Sequence, residues 1–263
     1  MYKFLIIVPT LNSFKSLPKL IHSLEEQKYK NWDVLFVDGK SNKNHKQFLL
    51  ELVNRNAKFS FINQKDFKNG IYGAMNEGLK YSKKADFVLF WGSDDYCSDK
   101  ETFNRIVNAI KKTKGINPDI FLCKAAYISE KNKNILRSSY FLKKSKFLSF
   151  QEINNLIFYG SSPPHQGTIY SSKFFDSNYS YDIEYKLAGD LDLFIKIALN
   201  NSTFIKNIDA VIVHLGNNGI SNRSTSLRLR EVKRIYSKYF GFLWFVPFTL
   251  RYIRRIRSRL LTN

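Results

Sequence analysis

The sequence predicts an α/β fold in which a mostly parallel central sheet is flanked by helices. Apolar runs of strand length alternate with segments whose apolar residues recur at helical spacing. The first run, KFLIIVPT at residues 3–10, is apolar almost throughout, which is typical of a strand covered on both faces. Strands and helices that alternate along a chain form parallel sheets with right-handed crossovers. A chain of 263 residues can bury a sizeable core in one or two domains.

The first half of the chain contains four predicted strands, each followed by a helix. The strands cover residues 3–10, 33–39, 58–64 and 85–95, and the helices cover 17–24, 48–53, 70–82 and 101–112. The second half is less regular. It contains a strand at 119–129, a lysine-rich connection at 131–146 that we expect to be solvated, a short strand within 163–175, a helix at 188–199 and a last strand at 210–221. Residues 1–222 are predicted to form one domain, and residues 223–263 a basic appendage.

Cysteine content and hydropathy argue against several classes of protein. Only Cys97 and Cys123 are present, without a CxxC pair, so neither a disulfide framework nor a structural zinc site is expected. The N-terminal apolar run is stopped by Pro9 and is too short for a signal-peptide core. No apolar stretch reaches the roughly 18 residues of a membrane-spanning helix. We therefore expect a protein of the reducing, cytoplasmic side of the cell.

The net charge of +20 is concentrated near the C-terminus. Residues 223–263 carry eleven Lys and Arg against one acidic residue, Glu231. Such a segment seeks a polyanion, and an acidic membrane surface, nucleic acid and a phosphorylated substrate all meet that requirement. No recognised nucleic-acid-binding module accompanies the charge, so we expect no nucleic acid partner.

An amphipathic helix is predicted within residues 240–263. Its apolar and basic side chains fall on two separate stripes, Leu250, Ile253, Ile256 and Leu260 on one and Arg251, Arg255 and Arg259 on the other. A helix of this kind, preceded by Trp and Phe, suits the interface of an anionic membrane leaflet. The alternative is a helix that packs on the rest of the chain or joins a homodimer.

Polar side chains follow three of the predicted strands. The first strand leads to Pro9, Thr10 and Asn12, the second ends at Asp38, and the fourth leads to Ser93, Asp94 and Asp95. Because the carboxyl ends of parallel strands meet at one edge of a sheet, we expect these residues to line a common cleft. Two adjacent carboxylates repel each other, so this pair predicts a bound cation.

Seven segments of the chain match the motifs of one enzyme family in the family's order. They are IIVPTLN (6–12), DVLFVDGKS (33–41), NGIYGAMNEGL (69–79), VLFWGSDD (88–95), PHQGTIYS (164–171), AGDLDLFIK (188–196) and HLGNNGIS (214–221). On these residues the chain resembles the inverting family-2 glycosyltransferases of the GT-A fold, particularly those that extend bacterial surface polysaccharides on a lipid carrier. The resemblance implies a nucleotide-binding half at 1–98 and an acceptor-binding half at 99–222.

The resemblance implies a nucleotide-sugar donor, with UDP-sugars favoured, and a divalent ion. In the family the metal motif is Asp-X-Asp; here Ser93 takes the first place, so Asp95 is the predicted ligand of Mn²⁺ or Mg²⁺, with Asp94 assisting it or contacting ribose. Asp38 is the predicted partner of the nucleobase. Further donor contacts are expected from Pro9, Thr10, Asn12, Gly70, Tyr72, Asn76 and Arg223, and His214 is expected to reach the metal or the diphosphate.

The resemblance also implies a catalytic base and an acceptor side. The acceptor hydroxyl must lose a proton as it attacks the anomeric carbon, and Asp190 at the start of the late helix is the predicted base. His165 and Asp192 are placed on the acceptor side, with Asp192 on a different face of the helix from Asp190. The acceptor is expected to be a polyprenyl-diphosphate-linked glycan, which agrees with a peripheral location on the inner face of the cell membrane.

Simpler interpretations of the same residues remain open. The acidic residues also fit helix caps, turns and helix-dipole charges, Tyr72 also fits core packing, and strand-end histidines are often structural. His22 and His45 fall on helices predicted to lie at the surface. A sugar nucleotidyltransferase is the rival enzyme, but PTLNSFKS lacks its glycine- and lysine-rich loop. A non-catalytic basic binding protein would explain only the C-terminal charge.

Overall fold

The part of the chain that the structure describes contains ten strands and eight α-helices. The structure is a computed structural model, and it describes residues 1–113, 115–128, 135–177, 179–216 and 224–260. The strands are β1 (Phe4–Thr10), β2 (Trp32–Asp38), β3 (Phe59–Asn63), β4 (Phe87–Phe90), β5 (Tyr96–Cys97), β6 (Ile120–Ile128), β7 (Ile135–Ser139), β8 (Lys146–Leu148), β9 (Thr168–Ser171) and β10 (Ile205–Leu215). The helices are α1 (Leu17–Glu25), α2 (Lys43–Arg55), α3 (Gly70–Leu79), α4 (Thr102–Lys111), α5 (Phe150–Phe158), α6 (Gly189–Ala198), α7 (Thr225–Phe240) and α8 (Phe245–Leu260).

All ten strands belong to one sheet, whose central order is β3-β2-β1-β4-β9-β6-β10-β5. The pairs β1–β2, β1–β4, β2–β3 and β6–β10 are parallel. Strand β9 is antiparallel to both of its neighbours, β4 and β6. The predicted sheet between helices is therefore confirmed. Because β1, β2 and β4 run in one direction, their carboxyl ends open on the same edge.

Two apolar layers cover the faces of the sheet, and β1 shows how the sequence divides them. Phe4, Ile6 and Val8 lie in the layer formed with α1, α2 and α4, whereas Leu5 and Ile7 lie in the layer formed with α3, α5, α6 and α7. Successive side chains of a strand point to opposite faces, so a strand covered on both sides must be apolar at every position. This requirement explains the continuous apolar run at the start of the chain.

Three predicted boundaries in the strands are wrong. Strand β4 ends at Phe90, so the aspartate pair lies in a loop and not on the strand. The connection at 131–146 contains β7, which pairs with β6, and the first residue of β8. Strand β10 begins at Ile205, five residues before the predicted start. The start of this strand could not be recognised because the polar residue Asn207 interrupts the apolar pattern. The Asn207 side chain is buried and donates to the carbonyls of Leu142 and Lys144 at 2.8 and 2.7 Å.

The C-terminal helices pack on the rest of the protein. Val232, Ile235 and Tyr236 of α7 are buried in the second apolar layer, so the prediction that an appendage begins at residue 223 is wrong for this helix. Helix α8 lies against Gly160, which has φ of 76° and where a Cβ would come within 2.4 Å of the Arg251 nitrogen. No helix in the described part of the chain has both the length and the apolar character needed to cross a membrane.

Candidate active site

The ends of β1 and β2 are joined by hydrogen bonds centred on Asp38. Its buried carboxylate accepts from the Thr10 hydroxyl at 3.4 Å and from the Ser41 N–H at 3.0 Å. The side-chain oxygen of Asn12 accepts from the Asn42 N–H at 2.8 Å and links the same two loops. Asp38 is therefore buried beneath this edge of the sheet and holds the ends of β1 and β2 together. The edge holds four residues that were predicted to bind the nucleotide-sugar donor: Pro9, Thr10, Asn12 and Asp38.

His45 corrects the prediction of a surface residue on α2. Its side chain is fully buried, and its Nε2 lies 3.4 Å from Oδ1 of Asp38. Burial lowers the pKa of His45, and the negative charge of Asp38 opposes that shift. Helical spacing carried the missing signal, because His45, Leu49 and Leu52 form the buried face of α2. His22 is exposed, as predicted.

The two adjacent aspartates after β4 have different environments. Asp95 is buried and accepts from the N–H groups of Gly92 and Gly216 at 2.6 and 3.2 Å. Burial, and then the charge of Asp94, raises the pKa of Asp95 to about 7. Asp94 is only partly buried, and its carboxyl group packs against Gly216. Asp95 thus fastens the loop after β4 to the end of β10, and Asp94 is the more accessible carboxylate.

His214, the third predicted metal ligand, is surrounded by other groups. Its ring meets Tyr96 edge-on, with 5.1 Å between the ring centres. Burial lowers the pKa of His214, and the charges that act on it are those of Asp99 and Lys19. Within the described residues, no group of three or more His, Cys, Asp or Glu side chains could hold a metal ion. Arg223, predicted to cover the diphosphate, lies outside the described residues.

A pocket at the start of α6 contains the predicted base. Asp190 Oδ1 accepts from the Tyr72 hydroxyl at 3.3 Å. The Tyr72 ring stacks on Tyr181, with 5.4 Å between the ring centres, and the Tyr181 hydroxyl lies 2.8 Å from Nε2 of His165. The structure thus brings together three residues that the sequence singled out separately. The pocket is lined by Ser162, Pro163, His165, Thr168, Tyr170, Asp190, Leu191 and Phe194.

The pKa shifts of two side chains near Asp190, His165 and Tyr72, both favour their neutral forms. Burial lowers the pKa of His165, and the Asp190 charge opposes the shift. Burial, together with the same charge, raises the pKa of Tyr72 well above its usual value. Tyr72 therefore stays a protonated donor at neutral pH. A carboxylate held in this way can accept a proton from a hydroxyl group placed beside it.

Two other predicted site residues, Asn76 and Gly70, do not line the pocket. The Asn76 side chain holds the Tyr181 backbone at both ends: its Oδ1 accepts from the Tyr181 N–H at 2.9 Å, and its Nδ2 donates to the Tyr181 carbonyl at 2.8 Å. Gly70 begins α3, and its carbonyl accepts from Gln64 Nε2 at 2.9 Å. Tyr181 could not be predicted from the sequence, because it lies in an irregular segment without any periodic signal.

Asp192 does not lie in the lining of the pocket. Its fully buried carboxylate accepts from the Tyr239 hydroxyl at 2.9 Å and from Lys238 at 3.1 Å, and Lys196 lies 2.7 Å away. Lys238 and Tyr239 belong to α7. The structure therefore corrects the predicted acceptor-side position: Asp192 joins α6 to α7.

The turn at residues 165–167 connects the aspartate loop to the pocket. Trp91 donates its indole N–H to the Gln166 carbonyl at 3.0 Å, and the Gln166 side chain hydrogen-bonds to Asp95. His165, the preceding residue, faces Asp190 within the pocket. The two parts of the candidate site are therefore neighbours across a single turn.

The family model described as Glycosyl transferase family 2 matches residues 5–175. The chain belongs to this family. The match runs from β1 to the segment after β9, so it includes Asp38 and the aspartate pair and ends before Asp190. The predicted base of this glycosyltransferase therefore rests on the geometry of the pocket and on the AGDLDLFIK motif.

Two curated relatives show how far the likeness extends. A PGL/p-HBAD biosynthesis glycosyltransferase of Mycobacterium tuberculosis is 25% identical over 230 residues, which cover 83% of this chain and 79% of the relative. The Escherichia coli UDP-Glc:alpha-D-GlcNAc-diphosphoundecaprenol beta-1,3-glucosyltransferase WfgD is 32% identical over 94 residues, or 36% of each chain. Both relatives are glycosyltransferases by name, and the likeness to WfgD is confined to about a third of this chain.

A solved structure shows the same fold. The Staphylococcus aureus TarS 1–349 crystal structure in complex with UDP-GlcNAc superposes with a TM-score of 0.69 at 23% identity. The match covers 91% of this chain and 67% of the TarS chain. At this identity the likeness shows the fold alone, and it confirms the predicted GT-A fold of the glycosyltransferase.

Proposed function

We propose that this glycosyltransferase moves a sugar, with inversion at the anomeric carbon, from a UDP-sugar to a hydroxyl of a lipid-linked glycan in surface polysaccharide biosynthesis. The observation that carries the proposal is Asp190, a carboxylate that Tyr72 holds inside a pocket next to the strand ends. The donor class is supported by the names of WfgD, which specifies UDP-Glc, and of the TarS complex, which contains UDP-GlcNAc. WfgD also specifies an acceptor on diphosphoundecaprenol.

The donor is proposed to lie along the carboxyl ends of β1, β2 and β4. In this proposal the nucleobase of the donor lies at the loops that Thr10, Asn12 and Asp38 hold together. Gly70, Tyr72 and Asn76 shape the adjoining wall. The physical reason is general to open parallel sheets, in which ligands bind beyond the carboxyl ends of the strands.

A divalent ion fits the aspartate pair. Mg²⁺ in phosphate-transferring sites is held by one or two carboxylates and by substrate phosphates, which agrees with a site of two adjacent acids. Asp94 is the proposed metal ligand because it is the more accessible of the two carboxylates. Asp95 is buried and holds the loop that carries Asp94 through hydrogen bonds to Gly92 and Gly216. His214 is assigned no ligand role, since its ring packs on Tyr96. When bound, Mn²⁺ or Mg²⁺ neutralises the charge of the departing diphosphate.

Asp190 is the proposed base. The acceptor hydroxyl donates to the free oxygen of Asp190 and attacks the anomeric carbon from the side opposite the diphosphate, and the proton passes to the carboxylate. Tyr72 occupies the other oxygen, and so it fixes the direction in which the base accepts. His165 forms the acceptor side of the same pocket.

The C-terminal segment is proposed to place the enzyme on the inner face of the cell membrane. Three of its apolar side chains are strongly exposed: Phe242 at 85%, Ile256 at 58% and Leu243 at 48%. Exposed apolar side chains beside arginines are typical of helices that lie in a membrane interface. A peripheral enzyme would meet its lipid-linked acceptor there.

Two isosteric substitutions test the proposal. Thermal-shift measurements with UDP-sugars and Mn²⁺ should give a shift in the wild type and in Asp190→Asn, whereas Asp94→Asn should lose the Mn²⁺-dependent part. Transfer or donor hydrolysis should fall about 100-fold or more in Asp190→Asn, because general base catalysis contributes about 100- to 10,000-fold. Asp33→Asn, a surface control whose partner is Lys3, should retain both responses. A folded protein that responds to no nucleotide-sugar, or full turnover in Asp190→Asn, would disprove the proposal.

A further inference from the structure

Tyr181 links three different elements around the pocket of the proposed base. Its side chain is only 2% exposed. The Tyr181 ring stacks on Tyr72 of α3, with 5.4 Å between the ring centres and 24° between the planes, and it meets Phe90 at the end of β4 edge-on at 5.3 Å. The Tyr181 hydroxyl lies 2.8 Å from Nε2 of His165, in the turn at residues 165–167. The position of this one ring therefore affects a helix, a strand end and a turn.

The backbone that carries Tyr181 belongs to neither a helix nor a strand. One side chain of α3 holds it on both sides of the Cα: Asn76 Oδ1 accepts from the Tyr181 N–H at 2.9 Å, and Asn76 Nδ2 donates to the Tyr181 carbonyl at 2.8 Å. Within the described part of the chain, no backbone group supplies either bond. A carboxamide offers an acceptor and a donor side by side, so it can replace the neighbouring strand that this segment lacks.

Asn76 and Tyr72 act on Tyr181 from the same helix. They are four residues apart on α3, so they face the same side of it. Asn76 fixes the backbone of Tyr181 while Tyr72 packs on its ring, and the two contacts together define where the ring lies. The Tyr72 hydroxyl in turn donates to Asp190 Oδ1 at 3.3 Å. A displacement at Asn76 therefore reaches the proposed base through two packed rings.

The Tyr181 ring also positions the acceptor side of the pocket. His165 lines the pocket together with Asp190. Its ring packs on Phe90, with 5.5 Å between the ring centres, and its Nε2 is hydrogen-bonded to the Tyr181 hydroxyl. Because one ring nitrogen is engaged in this way, the orientation of His165 depends on where the Tyr181 hydroxyl lies.

We propose that Asn76 is a positioning residue for sugar transfer, which holds Tyr181 so that Tyr72 and His165 keep their places beside Asp190. The inference rests on the proposed function and specifies how Asn76 contributes to it. Both ends of the Asn76 amide are occupied by Tyr181, so this assignment gives Asn76 no contact with the donor. Its loss should misalign the base and leave the affinity for the donor unchanged.

Asn76→Asp tests the assignment because it changes only the donor end of the clamp. The carboxylate still accepts from the Tyr181 N–H, but it places a negative charge against the Tyr181 carbonyl oxygen. Turnover of the full chain is measured as UDP release from UDP-glucose and from UDP-GlcNAc in the presence of Mn²⁺. We expect kcat to fall about 10- to 100-fold, with the KM for the UDP-sugar changed less than about 2-fold. A raised KM with an unchanged kcat would show that Asn76 contacts the donor, and it would overturn the inference.

Asn108→Asp is the matched control, since it makes the same substitution at an exposed position of α4. Its kcat and KM should equal those of the wild type. If Asn76→Asp does not fold, Asn76→Ser takes its place, because serine removes the clamp without adding a charge and should lower kcat in the same way. Circular dichroism of each variant establishes which of them fold.

NMR of the full chain with ¹³C-labelled tyrosine and histidine rings follows the contacts without any turnover. The ring signals of Tyr72, Tyr181 and His165, assigned by single substitutions, should shift in Asn76→Asp and keep their positions in Asn108→Asp. Unshifted signals of Tyr72 and His165 in Asn76→Asp would overturn the inference, because the clamp would then not control either ring.

The kinetic results separate this inference from the proposed function. A wild type that turns over a UDP-sugar, with the same kcat in Asn76→Asp, retains the proposed function and removes the positioning role. A wild type that responds to no nucleotide-sugar overturns the proposed function and, with it, the role of Asn76 in transfer. In that case ring signals that shift in Asn76→Asp would still establish the clamp as a structural contact alone.

Discussion

The Glu231 carboxylate of α7 accepts a hydrogen bond from the backbone N–H of Ala188, the residue before α6, at 2.9 Å. It also accepts from the N–H groups of Lys186 and Leu187 at 2.8 and 2.9 Å. Asp190, the proposed base, is the second residue of α6. The start of α6 is therefore held by α7, a helix that lies outside the family-model match. The hydrogen bond from Lys238 of α7 to the buried carboxylate of Asp192 in α6 joins the same two helices further along.

Glu231→Gln should both destabilise the protein and slow transfer. The amide keeps one acceptor oxygen but places an NH₂ group against backbone N–H donors, so at least one buried N–H loses its partner. We expect a loss of about 1–3 kcal/mol in the free energy of unfolding. The kcat should fall about 10- to 100-fold, because a displaced catalytic group is poorly aligned, while the KM for UDP-sugar changes little.

Urea denaturation and steady-state kinetics measure the two effects, and Glu184→Gln is the control. Glu184 is paired with Arg234 of the same helix α7, but both side chains are more than 60% exposed. An exposed ion pair contributes about 0–1 kcal/mol, so this variant should resemble the wild type. Equal kinetics for the two variants would show that Glu231 does not position Asp190.

Gly189→Ala should disturb the contact between Tyr72 and Asp190. A Cβ at residue 189 would lie 2.9 Å from two carbons of the Tyr72 ring, closer than real Cβ contacts allow. The ring must move, and overpacking of this kind costs about 1–3 kcal/mol. We also expect a fall in kcat, since the hydroxyl that holds Asp190 moves with the ring.

A double-mutant cycle tests whether the clash is the cause. In a Tyr72→Ala background the ring is absent, so Gly189→Ala should have little further effect on the free energy of unfolding. If it destabilises Tyr72→Ala as much as the wild type, the cost comes from the backbone at the start of α6. Tyr72→Phe, which retains the ring and loses the hydroxyl, gives the kinetic effect of the hydrogen bond alone.

The sequence predicted the edge of the sheet better than the environment of each residue on it. Parallel strands bring their carboxyl ends together whatever follows them, so Asp38 and the aspartate pair could be placed in one cleft. Which of Asp94 and Asp95 turns inward depends on a loop that also binds Gly216, more than 120 residues away. No local pattern encodes that contact.

The C-terminal helices show a second limit. The helical spacing of α8 revealed two stripes, but it could not show that Arg251 and Arg255 turn toward the protein while Ile253 and Ile256 are exposed. That choice depends on packing at Gly160 and Ser162. The role of Glu231 was hidden for the same reason: its partners are backbone N–H groups, which leave no trace in side-chain patterns.

His45 makes the stability of the protein depend on pH. Because burial lowers the pKa of His45 in the folded protein, the unfolded chain binds the proton more readily. The stability from a neutral His45 is therefore fully present above the unfolded pKa of about 6.5 and is lost as the pH falls below it. His45→Gln should reduce the fall in unfolding free energy between pH 7.5 and 5.5.

Denaturant titrations at both pH values measure this difference. His22→Gln is the matched control, because the His22 side chain is 74% exposed. It should retain the pH dependence of the wild type. An unchanged pH dependence in His45→Gln would mean that other groups, and not the buried histidine beside Asp38, control the acid sensitivity.

Removal of the exposed apolar side chains before α8 should weaken membrane binding without harming the fold. Phe242 and Leu243 are 85% and 48% exposed, and burial of one such side chain in an apolar environment contributes about 1.5–3 kcal/mol. The double substitution Phe242→Ser/Leu243→Ser should therefore lower binding to phosphatidylglycerol vesicles by more than about 10-fold in a co-sedimentation assay.

Phe204→Ser, at a phenylalanine that is 61% exposed beside β10, serves as the control and should bind as the wild type does. Equal vesicle binding by the double variant and the wild type would show that this segment is not the membrane contact, and unchanged donor hydrolysis in the double variant would confirm that its fold is intact.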